Sequence, residues 1–328
     1  MTIFTKGAQS LPELFWSTLL LACLSGAAMA QAQPYSNEPL SIERMRGRSY
    51  PGSTLTTRQT LSPGTGYARR VVSYQSEGLR IDALLTVPNG TPPKGGWPAI
   101  VFNHGYIPPQ QYRTTEQYVA YVDAFARTGF VVLKPDYRGH GTSQGKPAGT
   151  AYWSPEYTTD VLNAFSSLRK LGSVNPARIG MWGHSMGGHI TLRAMVLNPQ
   201  IKAGNIWAGV VGPYSLIFKD LPRWGSGDST DPRAQMLAKY GTPDRSPALY
   251  RAISPNSFLA DLGGRPVQLH HGMGDTHVPP SFSQALASGL KAARQPYTLF
   301  TYPGDDHNLS RNLGVALQRS VEFFKKSL

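Results

Sequence analysis

The sequence predicts an α/β fold: a mostly parallel central sheet with helices on both faces and a small helical insertion. Three observations carry that expectation. Short, continuously apolar runs such as Ala99-Ile100-Val101-Phe102 and Phe130-Val131-Val132-Leu133 read as strands buried on both faces. Segments of helical spacing lie between such runs, so consecutive strands run parallel with helical crossovers. Finally, Ile179-Gly180-Met181-Trp182-Gly183-His184-Ser185-Met186-Gly187-Gly188-His189-Ile190-Thr191-Leu192 reads as a strand, a tight turn and a helix, with one serine at the apex.

Residues 1–30 read as a signal peptide. Lys6 supplies the positive start, residues 14–29 the apolar stretch, and Ala28-Met29-Ala30 a small-x-small cleavage site. A stable membrane span is not expected, because Ser17, Thr18, Ser25 and Gly26 dilute a stretch that would need about 20 apolar residues. Cleavage near Ala30 and export to the periplasm or the medium are expected. The alternative is a lipid anchor at Cys23, since Leu20-Leu21-Ala22-Cys23 resembles a bacterial lipoprotein box. Cys23 is the only cysteine of the chain. Cleavage after Ala30 therefore leaves a protein that folds without disulfides and has no thiolate for zinc.

The formal net charge is +13, spread over short groups such as Arg44, Arg46 and Arg48, or Arg69-Arg70. No basic run reaches the length of a nucleic-acid arm, so a solvated basic surface and no nucleic-acid partner are expected.

Residues 31–66, rich in Pro, Gly, Ser and Thr, read as an extended arm with a short helix near residues 42–46. The main domain then spans 67–328. Two β-runs, 70–74 and 79–87, are joined by a Glu77-Gly78 turn. Residues 115–127 have helical spacing, with Tyr118, Val119, Val122 and Phe125 apolar, and Gly129 ends them. Ser154-Pro155-Glu156 looks like a helix start, with the helix running to about residue 171. Residues 201–211, 266–270 and 297–302 read as strands, and 311–326 as a final helix. Residues 212–262 break the rhythm with prolines and with Tyr214, Phe218, Trp224, Met236, Tyr240 and Tyr250. They read as a largely helical insertion, either a cap over the site or an elaboration packed on its own aromatics.

The turn at Ser185 has the chemistry of a nucleophile. Gly183 and Gly187 permit the sharp bend, and the helix N-terminus beyond it favours an anion. A second match to the pattern, Gly141-Thr142-Ser143-Gln144-Gly145, is followed by Lys146, Pro147 and Gly149, which is loop chemistry. A serine hydroxyl needs a base, and the base needs an orienting acid. His307 follows the strand 297–302 and is the candidate base. Asp275 follows the strand 266–270 and is the candidate acid, while Asp305 and Asp306 suit turn capping. Among the other histidines, the turn is expected to aim His184 away, the helix to carry His189 off, and His270 and His271 to precede the acid. Met186 N–H and Tyr106 N–H are the candidate oxyanion donors, with the Tyr106 side chain as an alternative to its backbone. His270, His271, Asp275 and His277 meet no familiar ligand spacing, so no metal is expected. Neither a phosphate-cradling glycine loop nor a dinucleotide fingerprint is present, so no cofactor is expected.

These residues resemble the α/β-hydrolases. More narrowly, the chain is similar to the catalytic domain of the prolyl oligopeptidase family of serine peptidases and to its esterase and dienelactone-hydrolase-like relatives. The resemblance rests on four blocks spanning about residues 79–326. They are Asn103-His104-Gly105; Asp136-Tyr137-Arg138-Gly139-His140-Gly141-Thr142-Ser143; the Ser185 turn; and His271-Gly272 through Asp275 to Val278-Pro279, with His307. It implies a Ser185–Asp275–His307 triad and makes the Ser143 match a loop beside the site. Oligopeptidases of the family carry an N-terminal β-propeller, whereas here the arm precedes the hydrolase domain. Tyr106 replaces the glycine that follows His-Gly. Both departures argue against a strict dipeptidyl or prolyl specificity; an esterase with an open site fits the missing propeller better, while the motifs fit the peptidase catalytic domain. The expectation is an exported serine hydrolase acting on an ester or small peptide substrate through an acyl-enzyme. The alternatives are a carboxylesterase without peptidase activity and a non-catalytic binding protein on the same scaffold.

Overall fold

The computed structural model describes residues 35–222 and 231–328. The expected signal peptide, with Cys23 and Ala30, lies outside the described residues, as does Trp224 of the insertion. In chain order the elements are α1 (Ile42–Arg46), β1 (Thr56–Gly64), β2 (Tyr67–Ser76), β3 (Leu79–Pro88), β4 (Trp97–Asn103), α2 (Val119–Ala126), β5 (Val131–Pro135), α3 (Glu156–Leu168), β6 (Val174–His184), α4 (Met186–Leu197), β7 (Gly204–Trp207), α5 (Tyr214–Asp220), α6 (Pro232–Tyr240), α7 (Pro247–Ile253), a 3-10 segment (Pro255–Leu262), β8 (Val267–Gly272), α8 (Ser281–Ala292), β9 (Tyr297–Tyr302) and α9 (Leu313–Ser327).

The continuous apolar runs are explained by two cores. Along β4, Ala99 and Val101 enter one core and Ile100 and Phe102 the other. β5 divides in the same way, with Val131 and Leu133 on one side and Val132 on the opposite side. A strand with period two and helices on both faces must be apolar at every position. The first core takes side chains of α3, α4 and α8, including Phe165, Ile190 and Phe282. The second takes α2 and α9, where Phe125 and Phe324 meet Phe102, Trp182 and Trp207.

These strands form one sheet in the order β1-β2-β3-β5-β4-β6-β7-β8-β9. β1, β2, β3 and β5 pair antiparallel in that sequence, and every pair from β5 through β4 to β9 is parallel. The exits of β4, β6, β8 and β9 therefore open on one edge, where ligands gather in open parallel sheets.

Four details differ from the sequence expectation. The arm is not extended up to residue 66, because β1 already belongs to the sheet from Thr56. Its Thr56–Gly64 sequence is mostly exposed and is held by backbone pairing with β2, so no apolar alternation announces it. The strand expected over 201–211 shrinks to four residues, because Ala208 turns at φ +44°. The helix expected from Thr115 begins at Val119, after Tyr118 at φ +61°. Finally, α8 was not anticipated.

The rest of the arm is also docked. α1 is capped by Ser41, whose Oγ accepts from Arg44 N–H, and it buries Ile42 and Met45. The fully buried Arg193 of α4 donates to the carbonyl of Leu40 in the arm (2.9 Å) and to that of Ile253 in the insertion (2.9 Å). Arm and insertion share a small core of Leu40, Tyr214, Met236, Leu249, Tyr250 and Ile253. Among the described residues, no helix is long and apolar enough to cross a membrane.

Candidate active site

The corner between β6 and α4 carries Ser185 at φ +54°, ψ −117°, a conformation that side chains with a Cβ rarely adopt. Neighbouring backbone holds it there. Ser185 N–H donates to Trp207 C=O (2.9 Å), and its own carbonyl accepts from Gly188 and Val210 N–H (3.0 Å each). Gly187 is needed for closeness: a Cβ there would lie 1.9 Å from the carbonyl oxygen of Asn103 at the end of β4. Gly187→Ala is therefore expected to push α4 from the β4 exit, destabilising the fold by about 2 kcal/mol or more. Chemical denaturation, read alongside ester hydrolysis, checks this.

The β8 and β9 exits bring Asp275 and His307, the candidate acid and base, together. Gly272 lets the two loops touch backbone to backbone, since a Cβ there would sit 2.3 Å from Asp306 C=O. His307 Nδ1–H donates to Asp275 Oδ2 at 2.7 Å. The other carboxylate oxygen accepts from His277 and Val278 N–H (2.8 and 2.9 Å). His271 Nε2 lies 3.2 Å from Asp275 Oδ2 while also donating to Val278 C=O, and its Nδ1 accepts from Ser283 Oγ. Burial alone pushes the Asp275 carboxyl up. The hydrogen bonds from His271, His307 and the backbone outweigh it and hold the group well below the usual carboxylate range.

Asp305 and Asp306 are spent on their own loop. Asp305 accepts from Arg311 and Asn312 N–H (3.1 Å each), and Asp306 from Asn308 and Ser310 N–H (3.0 Å each). Ser143 also serves a loop, its Oγ accepting from Asp82 N–H (2.9 Å).

Ser185 and His307 line one open cavity of about 240 Å³ with Gly105, Tyr106, Tyr118, His184, His277 and Asn308. The Ser185 hydroxyl makes no hydrogen bond to the imidazole here; such bonds often tighten only around bound substrate. Tyr106 is 45 % exposed on the rim, directly after Gly105. Met186 opens α4, where N–H groups lack helical acceptors. None of the described residues of the insertion line this cavity; among them Tyr214, Phe218 and Tyr250 pack on one another.

His184 corrects the sequence reading. The turn does not aim it away: its ring lies 4.5 Å from that of His307, with its Nε2 2.9 Å from His307 C=O. Burial, helped by repulsion from His307, pushes its pKa down to about 3. His189 is carried off, as expected, onto Val210 C=O and Arg193. His270 is buried against Tyr302 and Gln268. Sequence reasoning missed Tyr118, His184, His271 and His277 as neighbours of the site. Tyr118 was read only as an apolar helix position. His277 stacks on His307 with centroids 5.2 Å apart.

A mostly parallel sheet whose strand exits gather a sharp serine corner, a histidine and an aspartate defines the molecule as an α/β-hydrolase. The family model for the prolyl oligopeptidase family matches residues 115–328, and the chain belongs to that family as a hydrolase with the family's catalytic-domain fold. It is 28 % identical over 188 residues to dipeptidyl peptidase family member 6 of Caenorhabditis elegans, covering 56 % of this chain but only 25 % of that protein. It is 27 % identical over 266 residues to the Bacillus subtilis protein named uncharacterized peptidase YtmA, covering 78 % of this chain and 95 % of the relative. Its fold is similar to that of acetyl xylan esterase from Paenibacillus sp. R4, with a TM-score of 0.63 and 16 % identity over 88 % of this chain and 92 % of that one. At that identity the likeness is one of fold.

Proposed function

We propose that the protein is an exported serine hydrolase that cleaves ester or small peptide bonds through an acyl-enzyme. One observation carries the reading: the strained Ser185 corner shares its cavity with His307, whose Nδ1–H is held by Asp275. With that proton on Nδ1, Nε2 is the free base. It takes the Ser185 proton as Oγ bonds to the acyl carbon. Tyr106 and Met186 N–H receive the oxyanion. The proton passes to the leaving alcohol or amine as its bond to the acyl carbon breaks. Water, deprotonated by His307, then releases the acid and restores Ser185.

The modest cavity suits a short acyl group, and both peptidase and esterase names occur among the proteins this chain is similar to. Export rests on the sequence of residues 1–30, and mass spectrometry of the secreted chain's N-terminus checks it.

A fluorophosphonate probe tests the chemistry, because an activated serine oxygen bonds to its phosphorus with loss of fluoride, leaving a phosphonylated serine. Labelling of the single peptide carrying Ser185 is expected, at one probe per chain. Absence of label, or label on Ser143, would overturn the assignment.

A further inference from the structure

We propose that Tyr118 and His184 are positioning residues, whose side chains form a directed hydrogen-bond chain tying the Gly105 loop to the His307 loop. The inference rests on reading Tyr106 N–H as an oxyanion donor and His307 as the base. Gly105 N–H donates to Tyr118 Oη at 2.9 Å. Tyr118 Oη lies 2.8 Å from His184 Nδ1, and His184 Nε2 lies 2.9 Å from His307 C=O.

The direction of every bond follows from chemistry. A carbonyl only accepts, so His184 Nε2 carries the proton facing His307. The buried ring is neutral, which leaves Nδ1 as an acceptor, so the Tyr118 O–H donates to it. The phenol oxygen then accepts from Gly105 N–H. Each polar group is used once and none is left over. The chain begins on the residue before Tyr106 and ends on the backbone of the base itself. It therefore spans both sides of the reacting carbonyl.

The surroundings fit such a brace. The Tyr118 ring packs edge-on against Phe102 (5.5 Å) and Trp182 (6.1 Å), both buried. Its backbone is left-handed at φ +61°, which is unfavourable for a residue with a Cβ. Tyr118 nevertheless lines the same cavity as Ser185. An apolar core position would need none of this.

Tyr118→Phe keeps the ring and removes only the hydroxyl. Its kcat for p-nitrophenyl acetate is expected to fall about 10- to 100-fold, with KM within about twofold of the parent. His184→Leu is expected to lose a similar factor. His184→Gln offers a carbonyl to Tyr118 and an N–H to His307, and is expected to stay within about tenfold of the parent. Because the chain is already broken, Tyr118→Phe with His184→Leu is expected to lose no more than His184→Leu alone.

Nitrogen-15 histidine spectra at pH 7 give a readout independent of activity. A His184 ring protonated at Nε2 is expected, with an Nδ1 signal that moves in Tyr118→Phe. Unchanged kcat in a folded Tyr118→Phe, or an Nδ1-protonated His184, would overturn the proposal. If Tyr118→Phe fails to fold, equal kcat in His184→Leu and His184→Gln overturns it. Retained hydrolysis in Ser185→Ala sinks the serine reading instead and leaves the spectra as the judge of the chain.

Discussion

Ser185→Ala is expected to lower kcat for p-nitrophenyl acetate by about 10⁴- to 10⁶-fold while leaving the fold intact. The size follows from the nature of the step. In the proposed mechanism no acyl-enzyme forms without Oγ, and only the oxyanion donors and general binding remain to speed direct attack by water. The fold survives because β6, α4 and the backbone bonds of residue 185 involve no hydroxyl. Ser185→Gly makes a useful companion. It abolishes the same chemistry but relieves a backbone held at φ +54°, where a Cβ costs on the order of 1 kcal/mol. Its thermal midpoint is expected to lie above that of Ser185→Ala. Steady-state kinetics with thermal melts read both effects, and a Ser185→Ala protein with parental turnover would remove the nucleophile from the mechanism.

Asp275→Asn is expected to cost about 10³- to 10⁴-fold in kcat with little change in KM. The structure dictates which way the amide points. One oxygen accepts from His277 and Val278 N–H, so the asparagine carbonyl must stay there. Its NH₂ then replaces the oxygen that faces His307 Nδ1. A donor in that place forces the His307 proton onto Nε2, the nitrogen that takes the proton from Ser185 in the proposed mechanism. The same NH₂ meets the N–H of His271, which now faces a donor.

Acid stability follows the same group. The Asp275 carboxyl is depressed in the folded protein, so its contribution is full above the unfolded value of about 3.9 and is lost as pH falls toward the folded one. Urea titrations between pH 2 and 7 are expected to show a loss below pH 4 that is smaller in Asp275→Asn.

Much of the candidate site was legible because it is built from local signals. A strand–turn–helix with glycines on both sides of a serine marks its own geometry. A histidine just past an apolar run marks a strand exit, as at His307 after β9. Asp275 was legible for the same reason. His184 was not, because the direction of a side chain next to a tight corner depends on what packs over it. Here the β9 exit loop lies above the corner and presents the His307 carbonyl. Tyr118 was hidden differently: its ring reads as core, and only its hydroxyl takes part in the hydrogen bonds to Gly105 and His184.

Sequence alone determined the layered α/β architecture and the three side chains at the strand exits, since period-two burial and turn chemistry are written in neighbouring residues. Tertiary structure decided the strand order, the docking of the arm through Arg193, and the contacts that connect Gly105, Tyr118, His184 and His307. Those contacts join residues far apart in the chain, and their geometry is set only when two cores close on the sheet and bring separate loops within hydrogen-bond reach.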